Sequence, residues 1–350
     1  MALIVSSWHR ARAFLLCIWV ASWCASSNAG GGCKLIKINE WQFRPKAAQL
    51  IIEGAINGQK IGVLLDTGAQ NSFVLRSAAN RLGLTRESVD VALTVGGPSQ
   101  VERTFIDEFR LGSATVKRWK ALVVGERDLG DGVSFLLGYD FFMQADVEFD
   151  LPHNTVRIFQ PEDCGQTWLA YWASSGRAGQ VDLQTHEHHP GITVAVKLNG
   201  EPVLALLDTG ASTSVVSKRL AAQLGITSNT AGVRVLNAAH GLGAGSVEAW
   251  SAPFESFVIG DELVRYPTIR VLDLQVRLPF VSQRPTRSVE LSEMILGLDF
   301  LRSHRVLVAH SQRKLYFSYE GGQVFGVRHE SSPAAVESSD RTGAPDGEQR

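Results

Sequence analysis

The chain has 350 residues, enough for two domains of ordinary size, and 45% of them are apolar, which is sufficient for a hydrophobic core in each domain. The 34 basic residues nearly balance the 35 acidic residues, and no basic stripe runs along the sequence. Because nucleic-acid binding requires a surface that neutralises phosphates, we expect no nucleic-acid partner.

The N-terminus has the pattern of an export signal. Basic residues precede an apolar run from Ala13 to about Ala25, and residues 27–29 (Ser-Asn-Ala) match a small-x-small cleavage pattern. The run is shorter than the roughly 18 residues of a membrane span. We therefore predict a signal peptide over residues 1–29 and an exported protein, periplasmic or secreted, with no membrane span in its mature chain. An uncleaved anchor and lipid attachment at Cys33 are the alternatives.

Cleavage at that point leaves two cysteines, Cys33 and Cys164. In an oxidising compartment the two thiols can form one disulfide between the N-terminal arm and the segment that joins the domains. The arm itself, residues 34–46, is of mixed character and is a candidate for an extra edge strand.

One short pattern, two apolar residues followed by Asp-Thr-Gly-Ala, occurs at residues 64–69 and again at 206–211. In a gapless register shifted by 142 residues, 14 of the 29 positions from Asn57 to Thr85 are identical in the second copy. A later signal, apolar-Leu-Gly-x-Asp, is also repeated, at residues 136–140 and 295–299. The sequence therefore predicts duplication of a domain of roughly 110–130 residues.

Each copy has the same order of predicted elements. A strand–turn–strand signal around Asn-Gly is followed by the Asp turn, a short strand, a short helix and a hairpin with a glycine-rich tip. Short strands with many turns and one short helix per unit indicate an all-β, barrel-like domain. The helices are predicted at about 77–83 and 218–224, and the tips at 96–99 and 240–245.

The predicted boundaries follow from the repeat. They are a first domain over residues 30–160, an interdomain segment over 161–190, a second domain over 191–327 and a disordered tail over 328–350. The interdomain segment begins with Trp168, Tyr171 and Trp172, and we expect so aromatic a stretch to pack on a domain.

These repeated residues resemble the retropepsin-like group of aspartic proteases. The Asp-Thr-Gly-Ala turn, followed 70–90 residues later by an apolar-apolar-Gly strand end, is that family's signature, and the resemblance covers about residues 50–160 and 190–320. Retropepsins form their site by homodimerisation, whereas pepsin-like enzymes form it within one chain. The resemblance implies an all-β fold of two retropepsin/pepsin-like acid-protease β-barrel domains related by a pseudo-twofold axis.

The same resemblance implies a catalytic pair, Asp66 and Asp208. Two carboxylates a few ångströms apart cannot both ionise cheaply, so the pair is expected to hold one proton. The ionised member can take a proton from a water, and the protonated member can donate to the peptide carbonyl. Ala69 and Ala211 provide no hydroxyl to stabilise the ionised pair, so we expect a weakly acid or neutral optimum.

Other residues are assigned supporting roles by the resemblance. Hydrogen bonds between the two turns are expected from Thr67 and Thr209, and backbone groups facing the carboxylates from Gly68 and Gly210. The flaps that close over substrate are expected at Gly96, Gly97, Gly241 and Gly243. Close packing behind the turns is expected at Gly138 and Gly297, and helix capping from Asp140 and Asp299.

We therefore predict an aspartic endopeptidase that acts on a polypeptide substrate as a monomer with an intrachain pseudo-dimer, without cofactor or metal. Two alternatives keep the fold: a catalytically silent peptide-binding module, and a protease in which one repeat pairs with its twin in another molecule. A metal enzyme built on His186, His188 and His189 is the alternative from a different class, but no spaced carboxylate or Cys accompanies these histidines.

Overall fold

The computed structural model describes residues 2–4, 32–44, 48–130, 132–174, 177–184, 190–277 and 288–325. Of the predicted signal peptide, only residues 2–4 fall within these ranges. The histidine cluster of residues 186–189 and the predicted tail lie outside the described residues.

Strands dominate the described chain, with four short α-helices, so the predicted all-β class is confirmed. In the first half the strands are β1 (Ala2–Ile4), β2 (Lys34–Gln42), β3 (Ile51–Ile56), β4 (Gln59–Leu65), β5 (Phe73–Leu75), β6 (Arg86–Thr94), β7 (Gly97–Leu111), β8 (Ala114–Val124), β9 (Val133–Leu137), β10 (Asp146–Asp150) and β11 (Thr155–Glu162). The next are β12 (Gly179–Gln184), β13 (Thr193–Leu198), β14 (Glu201–Leu207), β15 (Val215–Ser217), β16 (Arg234–His240), β17 (Ser246–Pro253) and β18 (Ser256–Ile259). The last are β19 (Glu262–Arg265), β20 (Thr268–Leu272), β21 (Gln275–Arg277), β22 (Ser288–Glu290), β23 (Met294–Leu296), β24 (His304–Ala309) and β25 (Lys314–Tyr319). The helices are α1 (Arg76–Arg81), α2 (Tyr139–Phe142), α3 (Lys218–Gln223) and α4 (Leu298–Leu301).

The first domain is an eight-stranded sheet in the order β1-β6-β7-β3-β4-β9-β5-β8, and β7 also pairs with β8, which curls the sheet toward a barrel. Its β3–β4 hairpin turns at Asn57 and Gly58, which have φ of 48° and 79°. Asn199 and Gly200 repeat this at φ of 52° and 86° between β13 and β14. Positive φ at both central residues is the geometry for which Asn-Gly is preferred in two-residue hairpins.

A continuous sheet connects the two domains. The strands β12-β25-β24-β10-β11-β2 follow one another in a fifteen-stranded sheet that continues into the second domain, with β2 at its outer edge. The domains meet where β10 pairs antiparallel with β24, for example Val147 with Val308 and Phe149 with Val306. All four of these side chains are buried. The interdomain sheet therefore fixes the two halves relative to each other through paired backbone and apolar contact.

The interdomain segment packs on this sheet, as its aromatic content predicts. Trp168 lies edge-on to Tyr316 with ring centroids 4.9 Å apart, and the Arg305 guanidinium lies 4.6 Å from the centre of the Trp172 ring. A disulfide between Cys33 and Cys164 ties β2 to the same segment. Later in the segment, β12 adds a strand beside β25, so much of what the sequence presents as a connection is sheet.

Buried apolar side chains also join the domains near the predicted flaps. Leu93, on β6 of the first domain, is 1% exposed and belongs to a cluster with Leu272 and Ile295 of the second domain. The described part of the chain contains no helix long and apolar enough to cross a membrane.

Candidate active site

The two Asp-Thr-Gly turns follow equivalent strands and are anchored in the same way. Asp66 comes after β4, and its amide donates to the carbonyl of Leu137 at 2.9 Å; Asp208 comes after β14, and its amide donates to the carbonyl of Leu296 at 2.9 Å. These bonds extend the parallel pairings β4–β9 and β14–β23 by one residue. Each aspartate is therefore placed by a buried strand rather than by a free loop.

Each turn also fixes its own carboxylate. One oxygen of Asp66 accepts from the amides of Gly68 and Ala69, both at 3.1 Å. One oxygen of Asp208 accepts from the amides of Gly210 and Ala211 at 2.8 and 3.2 Å. Amide donors stabilise a carboxylate and leave its second oxygen available to another group.

The two carboxyl groups face each other across the pseudo-twofold axis. A Cβ on Gly210 would lie 2.5 Å from the Asp66 carboxyl carbon, and a Cβ on Gly68 would overlap the Asp208 carboxylate. Asp66 is 3% exposed and Asp208 is 2% exposed. Only glycine permits this approach, so both glycines are required for two buried carboxyl groups to share one site.

Burial raises the pKa of Asp66 to about 7, and the negative charge of Asp208 and a hydrogen bond with its carboxyl add to the shift. Two ionised carboxylates that face each other in a buried site repel strongly, so the pair retains one proton into the neutral range. The arrangement therefore places a proton donor and a proton acceptor side by side.

The threonines bind the two turns together. The Thr67 hydroxyl donates to the Leu207 carbonyl at 2.7 Å and accepts from the Thr209 amide at 3.0 Å. The Thr209 hydroxyl donates to the Leu65 carbonyl at 2.8 Å and accepts from the Thr67 amide at 3.0 Å. All four bonds are buried and cross from one domain to the other, so they hold the carboxylates at a fixed separation.

Behind each turn, a serine hydroxyl connects the two repeated signals, a role that the sequence analysis missed. Ser72 donates to Asp140 at 2.6 Å and accepts from the Gly138 amide at 2.9 Å. In the second half, the corresponding bonds join Ser214 to Asp299 at 2.6 Å and to the Gly297 amide at 3.0 Å. Ser72 and Ser214 are identical residues at equivalent positions of the two repeats, which indicates a shared role, but the sequence does not reveal their hydrogen-bond partners.

The capping role expected of Asp140 and Asp299 is seen for Asp299, whose carboxylate accepts from the Phe300 amide in the first turn of α4 at 2.9 Å. The N-cap residues of α2 and α4 are Gly138 and Gly297, which have no side chain to cap a helix, and the Asp140 carboxylate accepts from the amide and the hydroxyl of Ser72. Both glycines pack closely behind the turns, as expected, because a Cβ on either would lie 2.6 Å from a backbone carbonyl carbon. Burial raises the pKa of Asp299 to about 6, and its bonds to Ser214 oppose that shift.

The two predicted flap tips meet over the site. The Gly243 amide donates to the Val95 carbonyl at 3.0 Å, and the Gly245 amide donates to the Gly96 carbonyl at 2.9 Å. A Cβ on Gly241 would lie 2.5 Å from the Val95 carbonyl oxygen, so the tips approach backbone to backbone. Gly97 is at the same tip, with φ of 112° and open space around it.

A second contact joins the predicted flap of the second domain to a loop of the first, and no pattern in the sequence indicates it. The Glu126 amide donates to the Leu242 carbonyl at 2.8 Å, and an Arg127 guanidinium nitrogen lies 3.0 Å from His240 Nδ1. The predicted flap of the second domain is therefore held by two separate segments of the first domain.

The space between the flaps and the aspartates is a cavity of about 270 Å³ that both Asp66 and Asp208 line. Its other walls are largely apolar, with Arg270 and His240 as the charged or titratable exceptions. Within the described ranges, no group of three or more His, Cys, Asp or Glu side chains is arranged to hold a metal ion. The cavity therefore combines an apolar cleft with a buried pair of acids.

A family model described as aspartyl protease matches the chain at residues 52–141 and 194–300, one match in each repeat. No curated protein matches the sequence significantly. Among solved structures, the crystal structure of an aspartic proteinase from Irpex lacteus matches with a TM-score of 0.44 and 13% identity, over 78% of this chain and 94% of that chain. Since the family model matches more than half of the residues, and does so twice in order, this chain belongs to the aspartyl protease family and carries two domains of that type.

Proposed function

We propose that this protein is an aspartic endopeptidase whose site is formed within one chain by Asp66 and Asp208. The observation that carries the proposal is the pair of buried carboxyl groups facing each other, together with the raised pKa of Asp66. A silent relative has no need to maintain two buried acids in repulsive contact, because burying like charges costs stability.

The proposed chemistry needs one proton on the pair. The ionised carboxylate takes a proton from a water between the two acids, and that water attacks the peptide carbonyl carbon. The protonated carboxyl donates to the carbonyl oxygen, which gives a tetrahedral intermediate with two hydroxyl groups. This intermediate collapses when the carboxyl that took the water proton passes it to the leaving nitrogen and one hydroxyl returns its proton to the other carboxylate, so that the pair again holds one proton. Closed flaps exclude bulk water and hold the peptide against the acids.

The crossed threonine bonds support an intrachain site over a homodimer of one repeat. Thr67 and Thr209 bond to each other's turns across domains that also share one continuous sheet. Export to the periplasm or secretion remains part of the proposal, and the Cys33–Cys164 disulfide supports it because such bonds persist in oxidising compartments.

The test is digestion of a diverse peptide mixture from about pH 3 to 8, read by mass spectrometry. The unmodified chain, Asp66→Asn and Asp208→Asn are compared, with thermal unfolding as the control for folding. We expect each single change to abolish cleavage, because each removes one half of the pair.

The pattern of loss separates the alternatives. An intrachain site is inactivated by either change, whereas a site formed by one repeat and its twin in another molecule is inactivated by only one of the two changes. If the folded, unmodified chain cuts nothing at any pH, the peptide-binding module becomes the better account.

A further inference from the structure

Resting on the proposed endopeptidase function, we propose that the second-domain wall of the cleft selects a substrate with a glutamate side chain, through Arg270. The proposal deepens that function by naming the chemistry of one substrate position. It is carried by the place of Arg270 on its strand, its contact with the flap, and its replacement in the first repeat.

Arg270 is on β20, where successive residues alternate between two faces. Ile269 and Val271 belong to the main hydrophobic core, whereas Leu272 belongs to the cluster at the cleft. Arg270 shares the face of Leu272, and both line the cavity that contains the two aspartates. One guanidinium nitrogen donates to the Asn237 carbonyl at 3.3 Å, so Arg270 reaches the flap strand β16 from the cleft wall.

The pseudo-twofold axis shows that this arginine is specific to one wall. In the second repeat, Val215 pairs with Arg270; in the first repeat, Phe73 pairs with Leu122. Phe73 and Val215 are equivalent in the gapless register of the duplication. The equivalent of Arg270 is therefore Leu122, so this position carries a positive charge in the second repeat and none in the first.

The surroundings of Arg270 define the side chain that fits. Four aliphatic residues of this wall line the cavity with Arg270, namely Val215, Leu272, Leu274 and Ile295. Among the described residues that line the cavity, Arg270 is the only lysine or arginine. A guanidinium stays charged throughout the pH range in which the aspartates titrate, and its planar donors match a carboxylate. Glutamate combines that carboxylate with a methylene stem for the aliphatic wall.

One charge in the cavity opposes this selection. The aspartate pair, sharing one proton, carries a single negative charge, which repels a substrate carboxylate. Arg270 supplies a compensating positive charge on the same cavity, and a substrate carboxylate hydrogen-bonded to its guanidinium is in direct contact with that charge. The preference is thus for a carboxylate beside Arg270 and not for acidic peptides in general.

The first measurement is the cleavage specificity of the unmodified chain on a peptide library, which identifies the peptide position at which glutamate is selected. The second is kcat/KM for three matched peptides. These carry Glu, Gln or Leu at the selected position and are otherwise identical. A hydrogen bond to a charged group contributes enough to give a Glu-to-Gln ratio in kcat/KM on the order of 10- to 100-fold. The ratio should fall below about pH 4, where the substrate glutamate becomes protonated.

The variant Arg270→Leu installs the residue found at position 122 and should bring the Glu-to-Gln ratio to about one. Arg270→Lys keeps the charge without the planar fork and should retain part of the ratio. The matched control is Arg103→Leu, which removes an arginine on β7 from its exposed ion pair with Glu87 on β6 and should leave the ratio unchanged.

A Glu-to-Gln ratio at or below one in the unmodified chain overturns the inference, as does an unchanged ratio in Arg270→Leu. If Arg270→Leu does not fold, the Glu-to-Gln ratio of Arg270→Lys and the library result still test the role of Arg270. If the unmodified chain cleaves no peptide, the proposed function fails separately, and the binding affinities of the three peptides for the folded chain then test the role of Arg270.

Discussion

The buried acids predict that a single inactivating change stabilises the fold. Asp66→Asn keeps the shape of the side chain and an oxygen that can accept from the Gly68 and Ala69 amides. It removes the ability to ionise. We therefore expect Asp66→Asn to be more resistant to unfolding than the unmodified chain at neutral pH.

The magnitude follows from the pKa shift of Asp66. Its folded pKa of about 7 lies above the ordinary value of 3.8, so between these two pH values the folded chain binds more protons than the unfolded chain. The free energy of unfolding then falls as the pH rises from about 4 to about 7. A shift of this size corresponds to about 4 kcal/mol above pH 7, and we expect Asp66→Asn to recover roughly 1–4 kcal/mol at pH 7.5 and almost none at pH 4.

The assay is thermal or denaturant unfolding of both chains at half-unit steps from pH 4 to 8. Asp261→Asn, at an exposed aspartate, is the matched control and should show the same pH dependence as the unmodified chain. A difference between Asp66→Asn and the unmodified chain that does not grow with pH would refute the reasoning. So would a loss of stability at pH 7.5, since it would show that the ionised pair holds the turns together.

Three further changes test the contacts that hold the two domains, the predicted flaps and the N-terminal arm in place. Thr209→Val removes two buried interdomain hydrogen bonds and leaves their partners unsatisfied, so we expect a loss of about 2–5 kcal/mol in unfolding and of cleavage activity. Gly243→Ala would place a methyl group 2.4 Å from the Gly96 backbone carbonyl carbon, so one flap tip must move, and we expect kcat/KM to fall about tenfold or more, while Ala244→Ser at the exposed neighbouring residue leaves kcat/KM unchanged. Cys33→Ala with Cys164→Ala opens a loop of 131 residues and should lower the free energy of unfolding by about 2–5 kcal/mol; a reducing agent should destabilise the unmodified chain and not the variant.

Local signals in the sequence predicted local geometry well. Asn57-Gly58 predicted a tight hairpin because positive φ at both positions selects these residues, and the structure has that turn. The helix predicted at about 77–83 is α1, Arg76–Arg81. The Asp-Thr-Gly turns could be located because strand, acid and glycine are adjacent in sequence and occur twice.

Contacts between distant segments could not be predicted in the same way. The pairing of β10 with β24 joins residues more than 150 positions apart. The apolar pattern of each strand predicts a buried strand but does not indicate which strand pairs with it. The hydroxyl of Ser72 was visible as a repeated residue, but its bond to Asp140 depends on the close approach of two turns. The position of Arg270 in the cleft depends on which face of β20 lies toward the aspartates. Both faces of this strand carry apolar residues, so the sequence does not indicate which of them that is.

Duplication within one chain explains why the two halves agree at the acids and differ at the walls. In a symmetric dimer, a substitution in one wall of the cleft appears in both walls, so a charge that aids one subsite also enters its mirror image. Here the threonine bonds and the serine bonds are the same in both halves, while Leu122 and Arg270 differ at equivalent positions. The Arg127–His240 contact likewise joins one flap to the opposite domain. The proposed chemistry needs symmetric acids, whereas the proposed recognition of a directional peptide chain gains from asymmetric walls, and one chain with two diverged repeats satisfies both requirements.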